Sequence, residues 1–181
     1  MVSLLILLIL LWLFYIGFSR GIILQSFYFL GAVFSLFVAK NHYQSLARQL
    51  TLWIPYSNPT EGTKMAFFKD VNIFDLSKVY YAGIAFVFIF IVSYTLVRFI
   101  GIFVHFLPTV YLKDQRWQIV SGFMAVCVGI MVFSMLFSVL ATIPLLSVQE
   151  QLSRHFLIKQ LITQCPPMTS IIHYLWIDQV I

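Results

Sequence analysis

The chain has 181 residues, of which 61% are hydrophobic and 9% are charged, and its 11 basic and 6 acidic residues give a formal net charge of +5. Soluble domains carry about 25% charged residues, so this composition excludes an ordinary soluble enzyme, a disordered tail and a disulfide scaffold. It indicates an integral membrane protein, whose scattered cations are predicted to meet the phosphates of the lipid bilayer and not to bind nucleic acid.

Four charge-free apolar runs are long enough to cross a bilayer, since a spanning helix needs about 20 mostly apolar residues. The predicted spans are residues 2–18, 22–39, 79–97 and 118–142. The first run has neither a basic start nor a small-residue cleavage site, so it is predicted to be a span and not a cleaved signal peptide. The third helix is predicted to continue beyond its span as far as Pro108, and the fourth to close before Pro144, because proline breaks a helix.

Two amphipathic stretches lie outside these spans. Residues 43–54 place their apolar side chains on one helical stripe, and residues 145–164 repeat apolar residues every three or four positions. Both stretches predict helices lying in the membrane interface, and for residues 43–54 packing against the protein's own spans is the alternative. The predicted fold is therefore all-α: a single membrane domain over residues 1–181, with four transmembrane helices and interfacial helices in the central loop and the C-terminal tail.

The hairpin between the first two spans carries a specific pattern. The first span ends in Gly17-Phe18-Ser19-Arg20-Gly21, and the second starts at once, with Gln25 early in it. This arrangement resembles the colicin V production protein family, small bacterial membrane proteins that open with an apolar span, a Gly-x-x-Arg-Gly hairpin and a second span. The resemblance runs from about residue 3 to residue 170. Ser3 stands where many relatives carry an acidic residue, so no role that depends on that acid is carried over.

The resemblance implies a multi-pass protein of the bacterial cytoplasmic (inner) membrane. It also implies a non-catalytic role in supporting toxin production or export, of the colicin V or bacteriocin type, and envelope maintenance. Separately, the sequence lacks the usual motifs of hydrolases, metalloproteases, P-loop proteins and dinucleotide-binding enzymes, so we predict no catalytic residue, no cofactor and no bound metal. A channel or transporter subunit is the alternative function, which a polar stripe along facing spans would support.

Gly17, Arg20 and Gly21 form the predicted helix-hairpin motif. Glycine permits both close helix approach and a positive φ, so a structural turn is one interpretation. The other is a docking corner, where Arg20 contacts a lipid phosphate or an acidic group of a membrane or envelope protein partner. Three more cations near span ends are predicted to make such lipid or partner contacts: Arg98, Lys113 and Arg116.

Small residues recur at helical spacing in two spans. The second span carries Gly31, Ser35 and Ala39. The fourth span carries Ser121, Gly122, Ala125 and Gly129. Such faces let helices approach closely in lipid, and they predict packing within the monomer, a homo-oligomer or a contact with a partner subunit.

The basic residues leave the orientation of the chain open. Seven lie on the side of the termini and four on the side of the two hairpins, where they are denser. Some members of the family look like the same four-span unit fused to an extracytoplasmic protease domain. We therefore predict that both termini are extracytoplasmic.

Overall fold

The computed structural model describes residues 2–56, 65–68, 71–72, 75–104 and 114–180. These ranges contain helices and no strand, which confirms the all-α class. The long helices are α1 (Val2–Arg20), α2 (Ile22–Leu50), α3 (Leu76–Val104) and α4 (Gln115–Ala141). The C-terminal elements are α5 (Leu146–Arg154), α6 (Phe156–Thr163), α7 (Met168–Ile172) and a π-helix (His173–Asp178).

The four long helices are the predicted membrane spans. Each contains an apolar window with a mean hydropathy between 2.0 and 2.5, and each is long enough to cross a bilayer. In α1 only 11% of that window is buried within the protein. Large apolar side chains on its surface, such as Leu4 and Trp12, are 66% and 64% exposed. Side chains of this kind require lipid around them, and the chain is therefore a multi-pass membrane protein.

Three helix ends differ from the predicted span ends or clarify them. The helix α2 runs unbroken to Leu50, so the first part of the predicted 43–54 stripe is the last two turns of α2 and not a separate helix. The sequence has no proline or glycine between Gly31 and Pro55, which explains the continuation. The helix α3 continues past its predicted span to Val104, while Pro108 lies outside the described residues. As expected, α4 ends shortly before Pro144.

The chain divides into two compact units, and each of α2, α3 and α4 contributes residues to both. The first unit comprises residues 1–39 and 89–132. In this unit α1 contacts α4, and α2 contacts α3. Both contacts are made at glycines, where atoms of the neighbouring helix occupy the space that a side chain would need. The single domain over residues 1–181 stays a prediction.

The second unit comprises residues 40–88 and 133–181. Its core includes the aromatic side chains of Tyr43, Phe86 and Trp176, each at most 1% exposed. The C-terminal elements α5 and α6 fall within the predicted amphipathic stretch, and extended backbone at His155 separates them. Whether they lie in the interface stays a prediction.

A loop residue of the second unit, Tyr56, is held outside the spans. Its hydroxyl donates a hydrogen bond to the carbonyl oxygen of Thr142 at 2.9 Å, and its ring lies 5.0 Å from that of Tyr80. Burial, with smaller contributions from Tyr80 and Tyr81, raises the pKa of the Tyr56 phenol to about 12. The phenol is therefore a neutral donor at physiological pH, and it ties the loop to the end of α4.

Candidate functional site

The turn between α1 and α2 is a single residue, Gly21. Its φ is +83°, a left-handed conformation that favours glycine. A Cβ added there would meet no atom within 4 Å, so conformation alone, and not lack of space, requires glycine. The backbone amide of Gln25 donates to the Gly21 carbonyl at 3.2 Å, which begins the hydrogen bonding of α2. The predicted structural role of Gly21 therefore has a geometric basis.

Gly17 is where α1 makes its closest approach to α4. A Cβ at Gly17 would lie 2.6 Å from the Cβ of Ala125 and 2.8 Å from the backbone oxygen of Ser121. The Ser121 hydroxyl lies 2.5 Å from the Gly17 carbonyl oxygen and 3.0 Å from that of Gly21, and donates its hydrogen to this pair. The hairpin motif and the small-residue face of the fourth span therefore meet each other within the first unit.

The other small residues of α4 face α1 in the same way. A Cβ at Gly122 would lie 2.6 Å from the ring of Phe14, and a Cβ at Gly129 would collide with Leu13. Large side chains of α1 thus lie against the glycines of α4. This is the packing expected of helices in lipid, where close van der Waals contact supports association.

Where α2 contacts α3, each helix has a glycine that accommodates a large side chain of the other helix. Gly31 on α2 receives Val97 of α3, and Gly101 on α3 receives the ring of Tyr28 on α2. The Ser35 hydroxyl donates to the carbonyl of Gly31 in its own helix at 2.8 Å. Gly31 and Ser35 of the predicted face therefore lie at or beside a packed contact of the first unit.

Two arginines from different helices lie over one tyrosine ring. The guanidinium carbon of Arg20, at the end of α1, is 5.4 Å from the ring centroid of Tyr28, and that of Arg98, on α3, is 4.9 Å from it. Arg98 also lies 5.9 Å from the ring centroid of Tyr94. Both distances to Tyr28 are within the range of a cation–π interaction. Tyr28 itself is 7% exposed and is held against Gly101, so the ring is a fixed platform.

This paired-arginine corner, Arg20, Tyr28 and Arg98, brings two positive charges to one ring, and no acidic side chain of the described residues pairs with them. The helices α1 to α4 contain no acidic residue. Among the residues that the structure describes, neither arginine forms an ion pair. Two like charges at one ring repel each other, and an anion that contacts both relieves this repulsion. Guanidinium groups bind carboxylates and phosphates with paired hydrogen bonds, so the corner is suited to such an anion.

The remaining predicted contact residues are not brought to this corner. Arg116 is exposed in the first turn of α4, and within the described ranges it makes neither an ion pair nor a cation–π contact. Lys113 lies outside the described residues. In the part of the chain that the structure describes, no group of His, Cys, Asp and Glu side chains is placed to hold a metal ion.

Sequence reasoning missed the aromatic part of the corner. Tyr94 precedes Arg98 by four positions on one helix, and this spacing alone places them on the same face. Tyr28 and Gly101 lie on different helices, and no local pattern pairs them. Gln25, one turn before Tyr28, is only 3% exposed, and its Oε1 accepts no hydrogen bond from the described residues. Sequence spacing therefore predicts the contact between Tyr94 and Arg98. The positions of Tyr28 and Gln25 depend on the packing of α2 on α3.

Four long apolar helices, the first two of them joined at Gly21, define a multi-pass α-helical membrane protein with an arginine corner at the end of α1. The colicin V production protein family matches residues 2–166, and the chain belongs to this family. The predicted resemblance is therefore confirmed. The chain is also similar to the uncharacterized transmembrane protein YshB of Bacillus subtilis (strain 168), with 29% identity over 179 residues, 97% of each chain. No solved structure matches it.

Proposed function

We propose that this protein is a non-catalytic component of the bacterial cytoplasmic membrane that supports the production or export of a colicin V-type toxin, and envelope maintenance more broadly. Membership of the colicin V production family supports the link to a toxin. Its means of action is the docking of an acidic group of a membrane or envelope protein at the paired-arginine corner.

The observation that carries the docking proposal is the placement of Arg20 and Arg98 over Tyr28. A cation near the apolar region costs free energy unless an anion or a polar group compensates it. The ring compensates only part of two charges, and no carboxylate of α1 to α4 is present to do the rest. A carboxylate on a partner's membrane-flanking segment supplies this compensation and gains specificity through paired hydrogen bonds.

The buried polar side chains favour this role over that of a channel. In the described ranges most of them bond to backbone carbonyls of the protein itself. Ser121 does so with Gly17 and Gly21, Ser134 with Leu161, and Gln149 with Ala141 and Ile143. Side chains used in this way stabilise helix packing instead of offering a continuous polar path. A channel or transporter subunit nevertheless remains the alternative prediction.

The experiment replaces both arginines in a toxin-producing bacterium that lacks its own family member and is complemented by this chain. The double variant Arg20→Gln/Arg98→Gln is expected to lower secreted toxin activity by at least about tenfold, since the loss of even one charge-assisted contact, worth about 1.5–3 kcal/mol, weakens docking by that factor. A photo-crosslinking amino acid at Ile23, 36% exposed and next to the hairpin, should capture a protein partner in the wild type and lose it in the double variant.

The matched control is Arg154→Gln/Lys159→Gln, which removes the same charge from two exposed cations of the second unit. It is expected to secrete toxin at the wild-type level. Equal secretion by the corner variant and the control, at equal protein levels in the membrane, would rule out the docking role. If the crosslinker at Ile23 captures only lipid, the anion that binds the corner is a lipid phosphate and not a carboxylate of a protein partner.

A further inference from the structure

A groove opens in the second unit between the last turns of α2, the first turns of α3 and the end of the chain. Its volume is about 330 Å³, at the lower end of the range of about 300–1,000 Å³ that is typical of small-molecule sites. All of its lining residues belong to the second unit. The polar side chains that matter most for a ligand are Gln44, Arg48, Thr51, Ser77, Lys78 and Gln179.

The charges at the groove are predominantly positive. Arg48 lies in the last turn of α2, is exposed, and forms no ion pair within the described ranges. The Lys78 ammonium pairs with Asp75 at 2.8 Å, yet its side chain is 58% exposed. Ser77 and Lys78 occupy the first turn of α3, where backbone amides and the helix dipole also favour an anion. The groove therefore combines the guanidinium of Arg48 with the exposed Lys78–Asp75 ion pair at the N-terminus of α3.

One wall of the groove is held rigidly. The Gln44 amide donates to the Tyr43 hydroxyl at 3.2 Å, and that hydroxyl donates to the Leu175 carbonyl at 2.6 Å. Beside this bond the buried ring of Trp176 contacts Phe86, with a centroid distance of 5.9 Å, and fills the space left by Gly83. These contacts fix the end of the chain against α2 and α3. The groove is thus formed before any ligand arrives, which lowers the cost of binding.

The helix lengths place the groove near the lipid headgroups. Both α2 and α3 have 29 residues, about 43 Å at 1.5 Å per residue, against a hydrocarbon thickness of about 30 Å. The α2 span starts at Ile22, so the turns after the exposed Lys40 extend beyond the hydrocarbon. Arg48 and Lys78 are therefore expected at the depth of the phosphates.

We propose that this groove binds the phosphate of an anionic phospholipid headgroup. Arg48 supplies paired hydrogen bonds, Lys78 adds a second charge, and the hydroxyls of Thr51 and Ser77 line the path to the phosphate oxygens. Ala47 and Ala82 supply apolar wall for the carbon part of the headgroup. A soluble phosphate compound shares the same chemistry, and the experiment distinguishes these two sources.

The test uses the purified full chain in phosphatidylcholine nanodiscs that contain a minor fraction of phosphatidylglycerol, with retained lipid counted by native mass spectrometry. Wild-type protein is expected to retain phosphatidylglycerol selectively. The variant Arg48→Gln/Lys78→Gln should reduce this retention by about tenfold or more, from the loss of two interfacial charges. The matched control Arg154→Gln/Lys159→Gln removes two exposed cations outside the groove and should retain lipid as the wild type does.

A second variant distinguishes loss of the groove from loss of the fold. Ala47→Met fills the groove from an α2 position without altering charge, and methionine is a good helix former. It should also lower retention, while the thermal unfolding midpoint stays near that of the wild type. Equal retention by wild type, groove variants and control overturns the proposal. Binding of inorganic phosphate in pure phosphatidylcholine nanodiscs, dependent on Arg48 and without preference for phosphatidylglycerol, overturns the lipid source and assigns a soluble phosphate ligand.

Discussion

At the scale of single residues, the two glycines of the hairpin motif are required for different physical reasons. Gly21 has open space around it but a φ of +83°. Gly17 lies inside a helix with ordinary backbone geometry, and it has no space, because α4 backbone lies where its side chain would be. A substitution at Gly21 therefore strains the turn, whereas one at Gly17 separates two helices.

Gly17→Ala is expected to destabilise the protein more than Gly129→Ala. The new methyl at Gly17 meets the Ser121 backbone oxygen at 2.8 Å, which moves only with the helix. At Gly129 the new methyl meets the tip of the flexible Leu13 side chain. Overpacking of a fixed site costs about 1–3 kcal/mol. Thermal unfolding of both variants in one detergent measures the difference, and a lower midpoint for Gly129→Ala would contradict this account.

At the scale of elements, the C-terminal segment behaves as part of the core of the second unit and not as a loose tail. The π-helix His173–Asp178 buries Leu175, Trp176 and Ile177, and Trp176 is fully buried. Its ring lies against Phe86 and over Gly83, where a Cβ would come within 3.0 Å of it. The indole nitrogen donates to no acceptor among the described residues, so shape and burial hold the ring, while the Tyr43 hydroxyl donates to the Leu175 carbonyl of the same element.

Truncation of this anchor is expected to release the C-terminal segment. Trp176→Ala should cost about 3–5 kcal/mol and make residues after Pro167 accessible to protease, because a large buried ring is lost. Trp176→Phe should be milder, since an aromatic ring remains and no hydrogen bond within the described residues is broken. Limited proteolysis followed by mass spectrometry measures release. Tyr174→Ala, at a side chain that is 51% exposed, is the control and should leave the segment protected.

Features that a short stretch of sequence determines could be predicted, whereas features that depend on contacts between distant residues could not. Four spans follow from run length and charge alone, and the end of α4 follows from Pro144. The small-residue face of α4 also followed from spacing, although its partner α1 did not. The extension of α2 to Leu50 was missed, because a change from apolar to amphipathic pattern does not by itself end a helix. Tyr28 at the arginine corner depends on tertiary packing and left no local signal.

At the scale of the whole molecule, the orientation in the membrane decides which partners are possible. The four candidate spans of the described residues predict that the two termini lie on one side of the membrane and both hairpins on the other. The paired-arginine corner lies at the end of α1, beside the first hairpin, so the side of the membrane that this hairpin faces decides which partners can reach it. Dense cations near short hairpins favour the cytoplasm for the corner.

Thiol labelling of intact cells tests this orientation. In a background with Cys127→Ala and Cys165→Ala, Ser153→Cys on the exposed side of α5 should react with a membrane-impermeant reagent from outside. Ser19→Cys, exposed beside the hairpin arginine, should react only after permeabilisation. The proposed acidic partner would then present its carboxylate from the cytoplasmic side. The reverse labelling pattern would mean that the larger number of basic residues near the termini sets the topology, and the partner of the corner would then be extracytoplasmic.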